Sequence, residues 1–95
     1  MRGADMKIEK RMTIVNKLGL HARAATQLVQ LANQFEAEVT LEQGDNSAPA
    51  NSVLALMMLE SSQGKEIKVT SEGKDAELAM EAVERLIADG FNETE

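Results

Sequence analysis

Apolar residues along this chain switch repeatedly between a period of two and spacings of three and four, and neither pattern lasts long enough for a long element. Period two marks a strand with one buried face, and recurrence at three and four marks a helix with a buried stripe. Ile8, Met12 and Ile14 share a face of a strand over Met6 to Val15, which Asn16-Lys17-Leu18-Gly19 then breaks. Ala25, Leu28, Ala32 and Phe35 lie on one face of a helix that begins at His21, with Val29 beside them. Val39 and Leu41 alternate within a second strand, Glu38 to Glu42, and Gly44-Asp45-Asn46 turns the chain into a short third, Ser47 to Ala50. Pro49 suits an edge position there, because it has no N–H for a neighbouring strand.

Asn51 or Ser52 can cap a short apolar helix carrying Val53, Leu54, Leu56, Met57, Met58 and Leu59, and Gly64 turns the chain after it. Glu66 to Ser71 forms the last strand with Ile67 and Val69 inward. Asp75 can cap a final helix whose stripe is Ala76, Ala79, Met80, Val83, Leu86 and Ile87, and Gly90 can end it. The order βαββαβα predicts an α+β fold, an open-faced β-sandwich: an antiparallel sheet with three helices on one face. A single domain is expected over 7–91, with a flexible extension at 1–6 and a tail at 92–95.

Composition removes several functions. The absence of cysteine excludes disulfides, thiolate metal sites and cysteine nucleophiles, and a single histidine argues against any bound metal. A formal charge of −6 opposes nucleic-acid backbones, and Phe35 and Phe91 are the only aromatics available for base stacking. No apolar run approaches the roughly 20 residues of a membrane span, so no membrane insertion is expected. Met1 to Met12 lacks the apolar stretch of a secretory signal, which leaves the cytoplasm as the expected location. Nothing in the sequence calls for a cofactor.

Chemistry concentrates at Gly19-Leu20-His21-Ala22-Arg23, where strand signals stop and helical periodicity starts. The first turn of a helix leaves backbone N–H groups without internal partners, and with the helix dipole these make an anion site. A histidine at the N-cap holds a nucleophilic imidazole at the mouth of that site. A phosphoryl group on it would meet the amides of Ala22, Arg23 and Ala24, and Arg23 could add charge-assisted hydrogen bonds. Taken alone, a histidine in a turn and an arginine in a solvated first turn would carry no function.

In this context the chain resembles the histidine phosphocarrier family HPr of the phosphoenolpyruvate-dependent phosphotransferase system. The likeness covers about residues 7 to 91 and rests on Gly19-Leu20-His21-Ala22-Arg23-Ala24-Ala25, the Ala50-Asn51-Ser52-Val53-Leu54 helix start, the Gln63-Gly64 turn and the closing helix. Asn51 to Leu59 and Asp89-Gly90-Phe91 look more like the nitrogen-related branch, NPr, than the sugar-uptake carrier. The resemblance implies a phosphoryl group carried on His21 at Nδ1 with Arg23 as its charged neighbour. It implies an Enzyme I type phosphodonor, a IIA-type phosphoacceptor, no catalysis by the chain alone, and a monomer. It also raises Ser52 as a regulatory phosphorylation site, although a serine at a helix start is first a cap. Leu20, Val53, Leu54 and Met57 are the expected partner-docking residues. One departure stands at Ala24, where the family commonly has proline; alanine restores an amide donor and loses stiffness.

Two other classes compete. An acyl carrier would be all-helical with Asp-Ser-Leu at its attachment point, whereas this chain has Asn51-Ser52-Val53 and clear strands. A regulatory docking module on the same fold would control targets by binding, whether or not phosphate flows through it.

Overall fold

The computed structural model describes residues 6–93. The elements run β1 (Lys7–Thr13), α1 (Ala22–Ala32), β2 (Glu38–Gln43), β3 (Asn46–Pro49), α2 (Val53–Met58), β4 (Glu66–Glu72) and α3 (Ala76–Ala88), followed by a 3₁₀ turn, Gly90–Asn92. The four strands form one antiparallel sheet in the order β1-β4-β2-β3, and the three helices pack on one face of it, as the period switching predicts. The expected extension, apart from Met6, lies outside the described residues.

Alternation fixes the register. Ile67, Val69 and Ser71 on the central strand β4 face the helices, as do Met12 on β1, Val39 and Leu41 on β2 and Ala48 on β3. Leu28 from α1, Leu56 from α2 and Val83 and Ile87 from α3 meet them with essentially no exposed surface. Each such side chain contributes about 1.5–3 kcal/mol relative to leaving it in water. The opposite face of the sheet presents charge to solvent, with Lys68 within 3.3 Å of Glu42. Pro49 occupies the edge strand β3, opposite Thr40. Ile14 lies past the end of β1 but keeps strand-like pairing, donating to the Lys65 carbonyl and accepting from Gly64.

Three local expectations change. Phe35 lies beyond α1, because the chain tightens after Ala32: Gln34 donates to the Leu31 carbonyl and Phe35 to that of Ala32. Its ring still packs against the core. Asp75 stands at the N-cap of α3 but makes no cap hydrogen bond; its carboxylate accepts from the Glu36 and Ala37 amides at 3.0 and 2.8 Å. Those two donors belong to the segment that ends α1, so one carboxylate ties two distant stretches together. Of the residues expected as a tail, Asn92 belongs to the 3₁₀ turn and Glu93 lies beside His21, while 94 and 95 lie outside the described residues. No helix among the described residues is long and apolar enough to cross a membrane.

Candidate phosphoryl-transfer site

Gly19 sets the approach to His21. Its φ of +68° is left-handed, and a Cβ there would stand 2.6 Å from the Ser61 carbonyl oxygen. Only glycine meets both demands. Leu20 then donates its amide to the same carbonyl at 2.9 Å, which pins the loop to the segment after α2. Asn16 is buried and donates from Nδ2 to the Gly19 carbonyl at 2.8 Å, closing the loop from the other side.

His21 is the N-cap of α1, in extended conformation, and its ring itself does the capping: Nδ1 accepts from the Arg23 amide at 3.2 Å. A neutral imidazole that accepts at Nδ1 carries its proton on Nε2. The Nδ1 lone pair therefore points toward the first turn of α1, among amides that have no intrahelical partner. A phosphoryl group on Nδ1 could take over the Arg23 donor and draw on the Ala22 and Ala24 amides, with no acidic residue in that turn to oppose it. Ala24 itself is wholly buried, and its side chain serves the core. Arg23 is exposed and makes no ion pair among the described residues.

Nε2 has a neighbour that the sequence pattern did not reveal. Glu93 brings Oε2 to 3.7 Å from it, longer than a hydrogen bond, with the two side chains only 27% and 11% exposed. Among the described residues, neither Nε2 nor either Glu93 oxygen has a hydrogen-bond partner. Glu93 reaches this place because Phe91 and Asn92 both adopt left-handed conformations, φ 57° and 58°, and reverse the chain after α3. The Phe91 ring is buried and anchors that reversal. Leu18, His21, Arg23, Gln27, Phe91, Asn92 and Glu93 line a recess of about 190 Å³. The cue available in the sequence was Gly90-Phe91, a helix stop followed at once by a large apolar residue that must turn inward.

The expected docking residues divide. Leu54 is 69% exposed and Met57 partly so, but Val53 packs against the core and Leu20 is only 5% exposed. Leu20 thus offers a partner little surface of its own. Leu18 at 64% and Met58 at 71% are exposed instead. Ser52 caps α2, its hydroxyl accepting from the Ala55 amide at 3.1 Å.

Comparison with known proteins identifies the family. Residues 8–89 match the family model described as PTS HPr component phosphorylation site. The chain is 51% identical to phosphocarrier protein NPr of Shewanella violacea, over 92% of this chain and 96% of that one. It is 44% identical to NPr of Escherichia coli K12, over 93% and 99%. A crystal structure of HPr from Thermoanaerobacter tengcongensis superposes with a TM-score of 0.87 at 38% identity, covering 93% of this chain and 99% of that one. The chain belongs to the HPr family of phosphocarriers of the phosphotransferase system.

Proposed function

We propose that this phosphocarrier takes its phosphoryl group on Nδ1 of His21 from an Enzyme I type protein and passes it to a IIA-type protein, in the nitrogen-related branch of the system. The observation that carries the reading is the N-cap imidazole: its Nδ1 lone pair lies among the free amides of α1, where an anion is welcome. In the transfer, Nδ1 attacks phosphorus, the Nδ1–P bond forms, and the bond to the donor breaks with its electron pair returning to the donor. The Arg23 amide moves from ring nitrogen to phosphoryl oxygen, and the Arg23 guanidinium supplies a second set of donors. The ring retains its Nε2 proton and gains positive charge, which the Glu93 carboxylate faces. Ala22 and Ala24 contribute amides. Leu54 and Met57, with Leu18 and Met58, give the partner an apolar footing beside the site. Ser52 serves as a helix cap, which accounts for it without a kinase.

The nitrogen-related assignment draws on the NPr names of the relatives and on the Asn51 to Leu59 run. A cytoplasmic, monomeric shuttle follows from the same reading. The test is incubation with phosphoenolpyruvate, magnesium and, separately, nitrogen-type and sugar-type Enzyme I, followed by intact mass. An acid-labile phosphate on the wild type that His21→Ala abolishes is expected, with the nitrogen-type donor faster. No phosphate from either active donor would leave a regulatory docking module as the better account.

A further inference from the structure

Glu60 follows the C-cap of α2 with a φ of +55° and donates its amide to the Met57 carbonyl at 3.0 Å. Glycine satisfies a helix end of this kind without strain, and asparagine nearly so; a glutamate does not. Among the described residues the other non-glycine positions of positive φ are Phe91, whose ring is buried, and Asn92, which suits that conformation. Glu60 has neither reason: its side chain is exposed and enters no ion pair among the described residues. Strain of this sort is maintained where a side chain has a task outside its own fold.

Its surroundings indicate the task. Glu60 lines a recess of about 200 Å³ with Leu18, Leu20, His21, Ser61 and Ser62. A second recess on His21 holds Arg23 and also Glu93, whose largely buried carboxylate faces Nε2. Of the solvent-exposed charges beside the imidazole, a guanidinium therefore lies in one recess and the Glu60 carboxylate in the other. Building on the carrier reading, we propose that Glu60 is a specificity-determining residue, held beside His21 to receive a lysine or arginine side chain of the phosphodonor protein. An anionic group of the donor then faces Arg23 and a cationic one faces Glu60, so only one rotation of the docked pair satisfies both. A glycine would close the helix equally well and read nothing.

The experiment measures phosphoryl transfer from phosphorylated nitrogen-type and sugar-type Enzyme I to wild type, Glu60→Gly, Glu60→Gln and Glu60→Lys. Glu81→Lys, on the exposed side of α3, controls for net charge. Glu60→Gly raises Tm by about 2–6 °C as the strain is relieved. It nonetheless raises KM for the faster donor about threefold to tenfold with kcat little changed. Glu60→Gln gives the KM effect without the Tm gain, Glu60→Lys gives a larger one, and Glu81→Lys gives none. Raising NaCl from about 25 to about 300 mM shrinks these differences by shortening the Debye length. Wild-type KM in Glu60→Gly and Glu60→Gln with both donors would overturn the proposal while leaving the carrier reading intact. No charging of the wild type by either donor would overturn both.

Discussion

Glu93 and His21 meet with one oxygen facing one nitrogen and no hydrogen bond to spare on either. If the carboxylate supports the ring as it gains positive charge, Glu93→Gln lowers kcat for acceptance about fivefold to tenfold, near 1 kcal/mol after allowance for screening. Rapid-quench measurement of phosphohistidine formation checks this, and an unchanged kcat would remove Glu93 from the site. Asp75 makes a different kind of prediction. The Glu36 amide above all holds its carboxyl below the usual aspartate range; burial opposes this, and the Ala37 amide adds to the lowering. A group so depressed contributes stability above its unfolded pKa, and that contribution is lost as pH falls through the folded one. Asp75→Ala therefore lowers Tm at pH 7, and its gap from the wild type narrows below about pH 4. A gap constant from pH 7 down to the acid limit would show that the charge is irrelevant. Asp75 was legible as a residue near a helix start, but its partners lie 38 and 39 positions away and no local pattern encodes them.

α2 shows where sequence reading separates cleanly and where it does not. Its six residues, Val53 to Met58, are all apolar, so periodicity could say that some face outward without saying which. The neighbours decide: Leu56 and the C-cap Leu59 are buried, while Leu54 and Met58 stand in solvent. Leu54→Glu should leave stability within about 0.5 kcal/mol, as for most surface changes, yet raise KM for the donor about tenfold. Thermal melting and transfer kinetics on the same sample give both numbers, and an unaltered KM would take Leu54 out of the interface. Ser52→Ala should do the reverse, removing the cap at a cost of about 1 kcal/mol, a Tm loss of roughly 4–8 °C, with kcat little affected. A Tm loss under about 1 °C would mean that the α2 cap is dispensable. The start of α1 was readable because breaker, histidine and helical stripe are adjacent in sequence; the low exposure of Leu20 was not, because its loop is pinned at Ser61, far along the chain.

The antiparallel sheet and the helical layer follow from element order and one-sided alternation and were within reach of the sequence; the strand order β1-β4-β2-β3 was not. What escaped it was closure at the ends. The chain returns from α3 to His21 through a left-handed pair, and from α2 through a strained glutamate. Such reversals have no periodicity to announce them. Both bring acidic side chains into recesses lined by the same imidazole, with Leu18 common to the two. That single imidazole has a kinetic corollary. On the proposed reading donor and recipient must both reach Nδ1 of His21, so each turnover requires one partner to leave before the other arrives. The carrier then behaves as a two-stroke messenger: an excess of either partner obstructs the other, and flux peaks where their occupancies balance.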